Sequence, residues 1–121
     1  MSIIAESSIC IVSLDYAALP ATVADPLPAS AAWWSVQIDG LETVIMKNAM
    51  KSEYPELKDN AHHRLVFYSP EEEAYFPIIN IVSKTTQYLN AVANLGYRLT
   101  TSTIFQDINS GVVHYQYCLQ K

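Results

Sequence analysis

The sequence predicts an α+β domain: a mostly antiparallel sheet of about five to six strands, with one main helix, about residues 84–95, packed on one face. Three observations carry this. Strict alternation marks Ser8 to Tyr16 and the stretch from Tyr97 to Leu119 as strands; Asp39-Gly40 is a hairpin signal between two extended runs; and Thr85, Tyr88, Leu89, Val92 and Leu95 fall on one helical face at i, i+3, i+4, i+7 spacing. Residues 1–121 are long enough for a single domain with its own core.

In order along the chain, Cys10, Val12, Leu14 and Tyr16 alternate with Ile9, Ile11 and Ser13, so the first strand has both faces at least partly covered. Residues 17–32 change to alanine and proline. Pro20, Pro26 and Pro28 forbid a long helix or a central strand, which makes this a connecting arm: laid across the domain, reaching to a second subunit, or forming a plain surface loop. Asp39-Gly40 then predicts a type I′ hairpin over Trp33 to Met46, pairing Ile38 with Leu41, Val36 with Thr43 and Trp34 with Ile45 on the core side. On the other side this register leaves Trp33 beside Met46 as an apolar patch.

Lys47 to His63 is the most polar stretch, and Pro55 with Asp59-Asn60 limits it to one short helical turn. Arg64 to Tyr68 is extended. Ser69-Pro70-Glu71-Glu72 suits either a capping box or a turn; the turn is favoured, because Tyr75, Phe76, Ile78, Ile79, Ile81 and Val82 are aromatic or β-branched and Pro77 interrupts a helix. Ser83 or Thr85 caps the main helix and Gly96 closes it. Asp107 to Gly111 holds the turn residues of a last hairpin, whose final strand shows Val113, Tyr115, Tyr117 and Leu119 on one face and His114 and Gln116 on the other.

Leu89-Asn90, followed by Leu95-Gly96-Tyr97-Arg98-Leu99 and a terminal strand, resembles the helix-to-hairpin end of small uncharacterised bacterial and phage domains. Their pattern is Leu-Asn, then Gly-Trp, then a final strand, and Tyr97 stands where it has tryptophan. The resemblance covers the last third and transfers no catalytic residue.

Composition narrows function by exclusion. A net charge of −5 with seven scattered basic residues argues against nucleic acid. No apolar run reaches the length of a membrane helix, and an acidic N-terminal stretch without a basic region suggests a cytoplasmic chain. Cys10 and Cys118 sit on first and last strands that become neighbours in one arrangement; buried free thiols are favoured over a bridge. Adjacent His62 and His63 point to opposite sides of an extended chain, so no metal is expected. Three dispersed glycines make no phosphate loop, so no cofactor is expected. His114 and Cys118 lie about 13 Å apart along a strand, too far for a nucleophile and its base.

Only 16% of residues are charged, against about 25% in an ordinary soluble domain, which leaves neutral surface for a partner. The reading is a noncatalytic protein-binding, adaptor or inhibitor module, oligomeric, contacting another protein or itself through Trp33, Met46, Tyr16, Tyr54 and Tyr75. The alternative is a small-ligand binder or modest enzyme with a pocket between helix and sheet or between subunits. Arg98, His114 and Asp107 would line it and favour a small anionic ligand.

Overall fold

The computed structural model describes residues 8–18, 30–61, 64–68, 76–107 and 109–121. Its elements are β1 (Ile9–Ala18), β2 (Ser30–Asp39), α1 (Val44–Glu53), β3 (Lys58–Ala61), β4 (Arg64–Tyr68), β5 (Phe76–Pro77), α2 (Ile78–Asn94), β6 (Arg98–Gln106) and β7 (Val112–Gln120). Six strands form one antiparallel sheet in the order β3-β4-β2-β1-β7-β6, and the two-residue β5 pairs with the start of β2. The α+β architecture is the one the sequence predicts.

Alternation builds the core. Cys10, Val12, Leu14 and Tyr16 of β1 are buried, and register sets Val12 beside Ile38 and Tyr117, Leu14 beside Val36 and Tyr115, and Tyr16 beside Trp34 and Val113. Directly opposite residues in an antiparallel pair share a face, so these side chains form one continuous apolar sheet surface. Ile81, Thr85, Tyr88, Ala91 and Val92 of α2 are buried against it. Their spacing is that of a single helical stripe.

Residues 39–46 depart from the expected hairpin. Gly40 does take a positive φ of 95°, but the chain beyond it turns into α1. Thr43 decides this: it is the N-cap in extended conformation, and its Oγ1 accepts from the Met46 amide at 3.2 Å. Val44, Ile45 and Met46 are therefore helical, and β2 pairs instead with β1 and β4. The inward face assigned to Trp34, Val36 and Ile38 stands, because alternation within a strand does not depend on its neighbour. The polar stretch after Lys47 holds most of a ten-residue helix and a short strand, more than one turn.

The main helix starts at Ile78 rather than near 84. Pro77 stands immediately ahead of its first residue, where no intrahelical N–H is needed, so it permits the helix it was expected to block. Thr85 is thus interior, not a cap, and its Oγ1 donates to the Ile81 carbonyl at 2.9 Å. Gly96, φ 103°, ends the helix as expected.

Tyr97, just past α2, meets Met46 in the first turn of α1, while Tyr54 at the other end meets Gln87 and Lys84. The helices are therefore antiparallel neighbours. α2 lies against β2 and β5, and α1 reaches β3 through Lys47 and Lys51, which pair with Asp59. Residues 19–29 of the alanine-proline arm and 69–75 lie outside the described residues; 17–18 and 30–32 are strand.

Candidate functional site

The two edges of the sheet differ. β3 is four residues long and carries Lys58 and Asp59, features that blunt an edge against pairing. β6 is nine residues long, and every one of them is exposed. From Leu99 to Gln106 it carries neither a formal charge nor a proline, and Leu99, Ile104 and Phe105 are 51%, 58% and 56% exposed. Among the described residues nothing pairs with its outer side. It is an open row of backbone donors and acceptors flanked by apolar side chains.

Register places these side chains on faces. Ile104 lies across from Tyr115 and Leu99 from Leu119, on the helix-bearing face; Phe105 lies across from His114 and Thr103 from Gln116, on the opposite, outer face. One row of the outer face reads Tyr68, Ser35, Asp15, His114, Phe105 across five strands. His114 Nδ1 is 2.5 Å from Asp15 Oδ1, and its ring stacks on Phe105 at 4.6 Å. Exposed Tyr68 ends the row, and Trp33, 41% exposed, lies two positions along β2 on the same face. This face is aromatic and largely neutral.

On the helix-bearing side, a groove of about 260 Å³ runs between α2 and β7, lined by Leu14, Val82, Thr85, Thr86, Leu89, Tyr115 and Tyr117. Tyr16 stacks on Tyr115 at 6.1 Å, and Tyr115 on Tyr117 at 6.3 Å. Burial, then the Tyr115 hydroxyl, pushes the Tyr16 phenol up to about 12; burial also raises Tyr117. These hydroxyls stay protonated at neutral pH. With the Thr85 hydroxyl committed to its own helix, the groove offers apolar walls and neutral polar rims, and no nucleophile beside a base.

The expected contact residues do not gather at one place. Trp33 is on the outer face, whereas Met46 is half-buried on α1 and takes a 3.9 Å contact from the Tyr97 hydroxyl, so the Trp33–Met46 patch does not form. Tyr16 is core. Tyr54 packs edge-on to Tyr88 at 5.0 Å. Tyr75, His62, His63 and Glu71 to Glu73 lie outside the described residues.

The ligand set is equally dispersed. Arg98 is exposed and lines an open hollow of about 420 Å³ with Gly96, Gln120 and Lys121. Asp107 is at the other end of β6, where its carboxylate accepts from the Asn109 and Ser110 amides; those bonds hold it below the usual carboxylate range. His114 pairs with Asp15, and Cys10 and Cys118 are both free, on opposite faces of adjacent strands. No group of three potential metal ligands occurs among the described residues.

A cluster that sequence reasoning missed surrounds Lys84. Its ammonium lies 5.4–5.9 Å from the ring centres of Tyr88, Tyr54 and Phe67 and pairs with Glu56, which also accepts from the Tyr88 hydroxyl at 2.9 Å. Burial works against the Glu56 charge, and the bonds from Lys84 and Tyr88 outweigh it, leaving the carboxyl below its ordinary range. The box is filled by the chain's own cation and joins α1, β4 and α2.

No family model matches the chain, and no curated protein matches its sequence. Among solved structures, the crystal structure of a conserved kinetoplastid-specific protein from Trypanosoma cruzi is similar, with a TM-score of 0.62 over 97% of this chain and 99% of that one. Identity is 10%, so the likeness is one of fold alone. That neighbour is a kinetoplastid protein, not a bacterial or phage one.

Proposed function

We propose that this chain is a noncatalytic protein-binding module that takes up an extended segment of a partner along β6, through an aromatic and neutral polar surface. The observation that carries this reading is the long, exposed edge strand, free of charge from Leu99 to Gln106, in a sheet whose other edge is short and charged. Strand addition supplies main-chain hydrogen bonds, while Phe105 on one face and Ile104 on the other supply apolar contact. Low charge over the chain is consistent with surface meant to be covered. Photo-crosslinking residues placed at Thr101 and Thr103, with Asn48 on the exposed side of α1 as control, test it. Protein adducts are expected to concentrate at the two β6 positions; equal labelling at Asn48 refutes strand addition.

The groove beside α2 supports a second reading, a pocket between helix and sheet for a small uncharged ligand. An anionic ligand loses its anchor, since Arg98 is exposed at an open hollow and away from the tyrosines. Native mass spectrometry of gently purified protein should show a small added mass that Leu89→Trp, which fills the groove, abolishes. Added mass that survives Leu89→Trp is not in this groove.

A further inference from the structure

We infer that the partner strand for β6 is the β6 of a second copy, paired antiparallel about a two-fold axis beside Thr103. This rests on the protein-binding reading above and names its partner. Three features of β6 select the pairing. First, the ladder to β7 skips Thr100: Leu99 is opposite Leu119 and Thr101 is opposite Cys118. This irregularity shifts the alternation, so regular pairing is available only from Thr101 onward. Second, a symmetric antiparallel pair must keep each face on its own side, which requires an axis beside a residue rather than between two. An axis at Thr103 satisfies both. Thr101 then faces Phe105 of the second copy on the outer side, and Ser102 faces Ile104 on the helix side.

Third, charge agrees with this register. Arg98 and Asp107 stand at opposite ends of β6, about 30 Å apart in one chain. Antiparallel pairing about Thr103 brings Arg98 of each copy within one residue of the level of Asp107 of the other, at both ends. Moving the axis to Ser102 leaves only three residues per strand regularly paired, because it drives the irregularity at Thr100 into the ladder. Moving it to Ile104 sets Arg98 three residues from Asp107. Between those ends the strand is neutral, so nothing repels a second copy along its length. Two residues that the sequence suggests for one site, and that a single chain holds apart, thus meet across a subunit boundary.

β6 supplies nine residues, fewer than the roughly 20–30 per side of a standard interface, so the pair dissociates at about micromolar concentrations. Sedimentation velocity over a concentration series should show mass rising from 13.5 kDa to twice that value. Arg98→Glu sets two carboxylates against each other at both ends, and Asp107→Lys sets two cations there; each variant should weaken self-association about tenfold. Mixed in equal amounts the two are complementary at both ends and should pair as tightly as the wild type. Should D107K fail to fold, Asp107→Asn, whose side-chain oxygen still accepts from the Asn109 and Ser110 amides, removes the charge and should weaken self-association severalfold. A wild type monomeric at every concentration overturns the inference, as does a mixture no tighter than its components. If the purified chain is monomeric while β6 crosslinks to other proteins, the protein-binding module stands and the second copy falls.

Discussion

Replacing Gly40 with alanine adds one methyl group at the point where the chain leaves β2 for α1. A Cβ there would sit 2.3 Å from the carbonyl oxygen of Ile9, in the neighbouring strand, and Gly40 already holds φ at 95°. Two costs combine. An L-residue held at positive φ loses about 1–2 kcal/mol. Relieving the contact means moving backbone against backbone by about 1 Å, comparable to overpacking a core and so about 1–3 kcal/mol. The sum, about 2–5 kcal/mol, lowers Tm by roughly 8–20 °C in a domain of this length. Gly96→Ala is the control: its φ is 103°, but the added Cβ would lie 3.4 Å from Lys121 Cε, the flexible end of an exposed side chain. That variant should show the φ cost alone, about 1–2 kcal/mol. Thermal melts by circular dichroism compare the two directly. If Gly40→Ala melts no lower than Gly96→Ala, the close approach of Gly40 to Ile9 is not present in solution.

Tyr97→Phe removes the hydroxyl that accepts from the Glu42 amide at 2.9 Å and bonds Ser8 Oγ at 3.2 Å; urea unfolding should show a loss of about 1–2 kcal/mol, and an unchanged midpoint would remove the hydroxyl from the account. Cys10 is fully buried, and burial followed by the Asp39 charge pushes its thiol up to about 12, whereas Cys118 is partly exposed; iodoacetamide should modify Cys118 in the native protein and Cys10 only on unfolding. Equal rates would place Cys10 outside the core. Asp59 accepts from Lys47 and Lys51, which lowers its carboxyl to about 2. Because the folded value lies below the unfolded one, its stabilisation is complete above about pH 4 and is lost as pH falls towards 2. The stability gap between wild type and Asp59→Asn should shrink over that interval, and a gap constant from pH 5 to 2 would show that the ion pairs contribute nothing.

Alternation made the sheet legible. β1, β2, β6 and β7 are each marked by period-two runs, and the inward faces of Val12, Leu14, Trp34, Val36 and Ile38 can be read from them alone. The helix beyond Gly40 was not legible in the same way, because Asp39-Gly40 specifies a turn and not the element after it. A single side-chain bond from Thr43 outweighs the strand preference of Val44 and Ile45. Pro77 misled for a similar reason: its effect reverses between a helix interior and the residue before a helix. The candidate surfaces were harder to see. Thr100 to Thr103 read as strand in sequence, but only strand order shows that this strand is an edge, and only the placement of α2 beside Tyr115 and Tyr117 makes the groove along β7. Lys84 likewise gives no signal of its aromatic surround, whose members come from three separate segments.

The pairing of β1 with β7 sets an order of events when the chain is made. Cys10 lies beside Leu119 at the centre of the sheet, so a strand among the first to emerge waits for the last of those described. Until β7 arrives, one flank of β1 is bare, and the apolar row Val12, Leu14, Tyr16 lacks its cover of tyrosines. Pairing at such sequence separation is slow, and an open strand of this kind is where nascent chains associate wrongly. Assembly of the sheet therefore finishes only once β7 has been made.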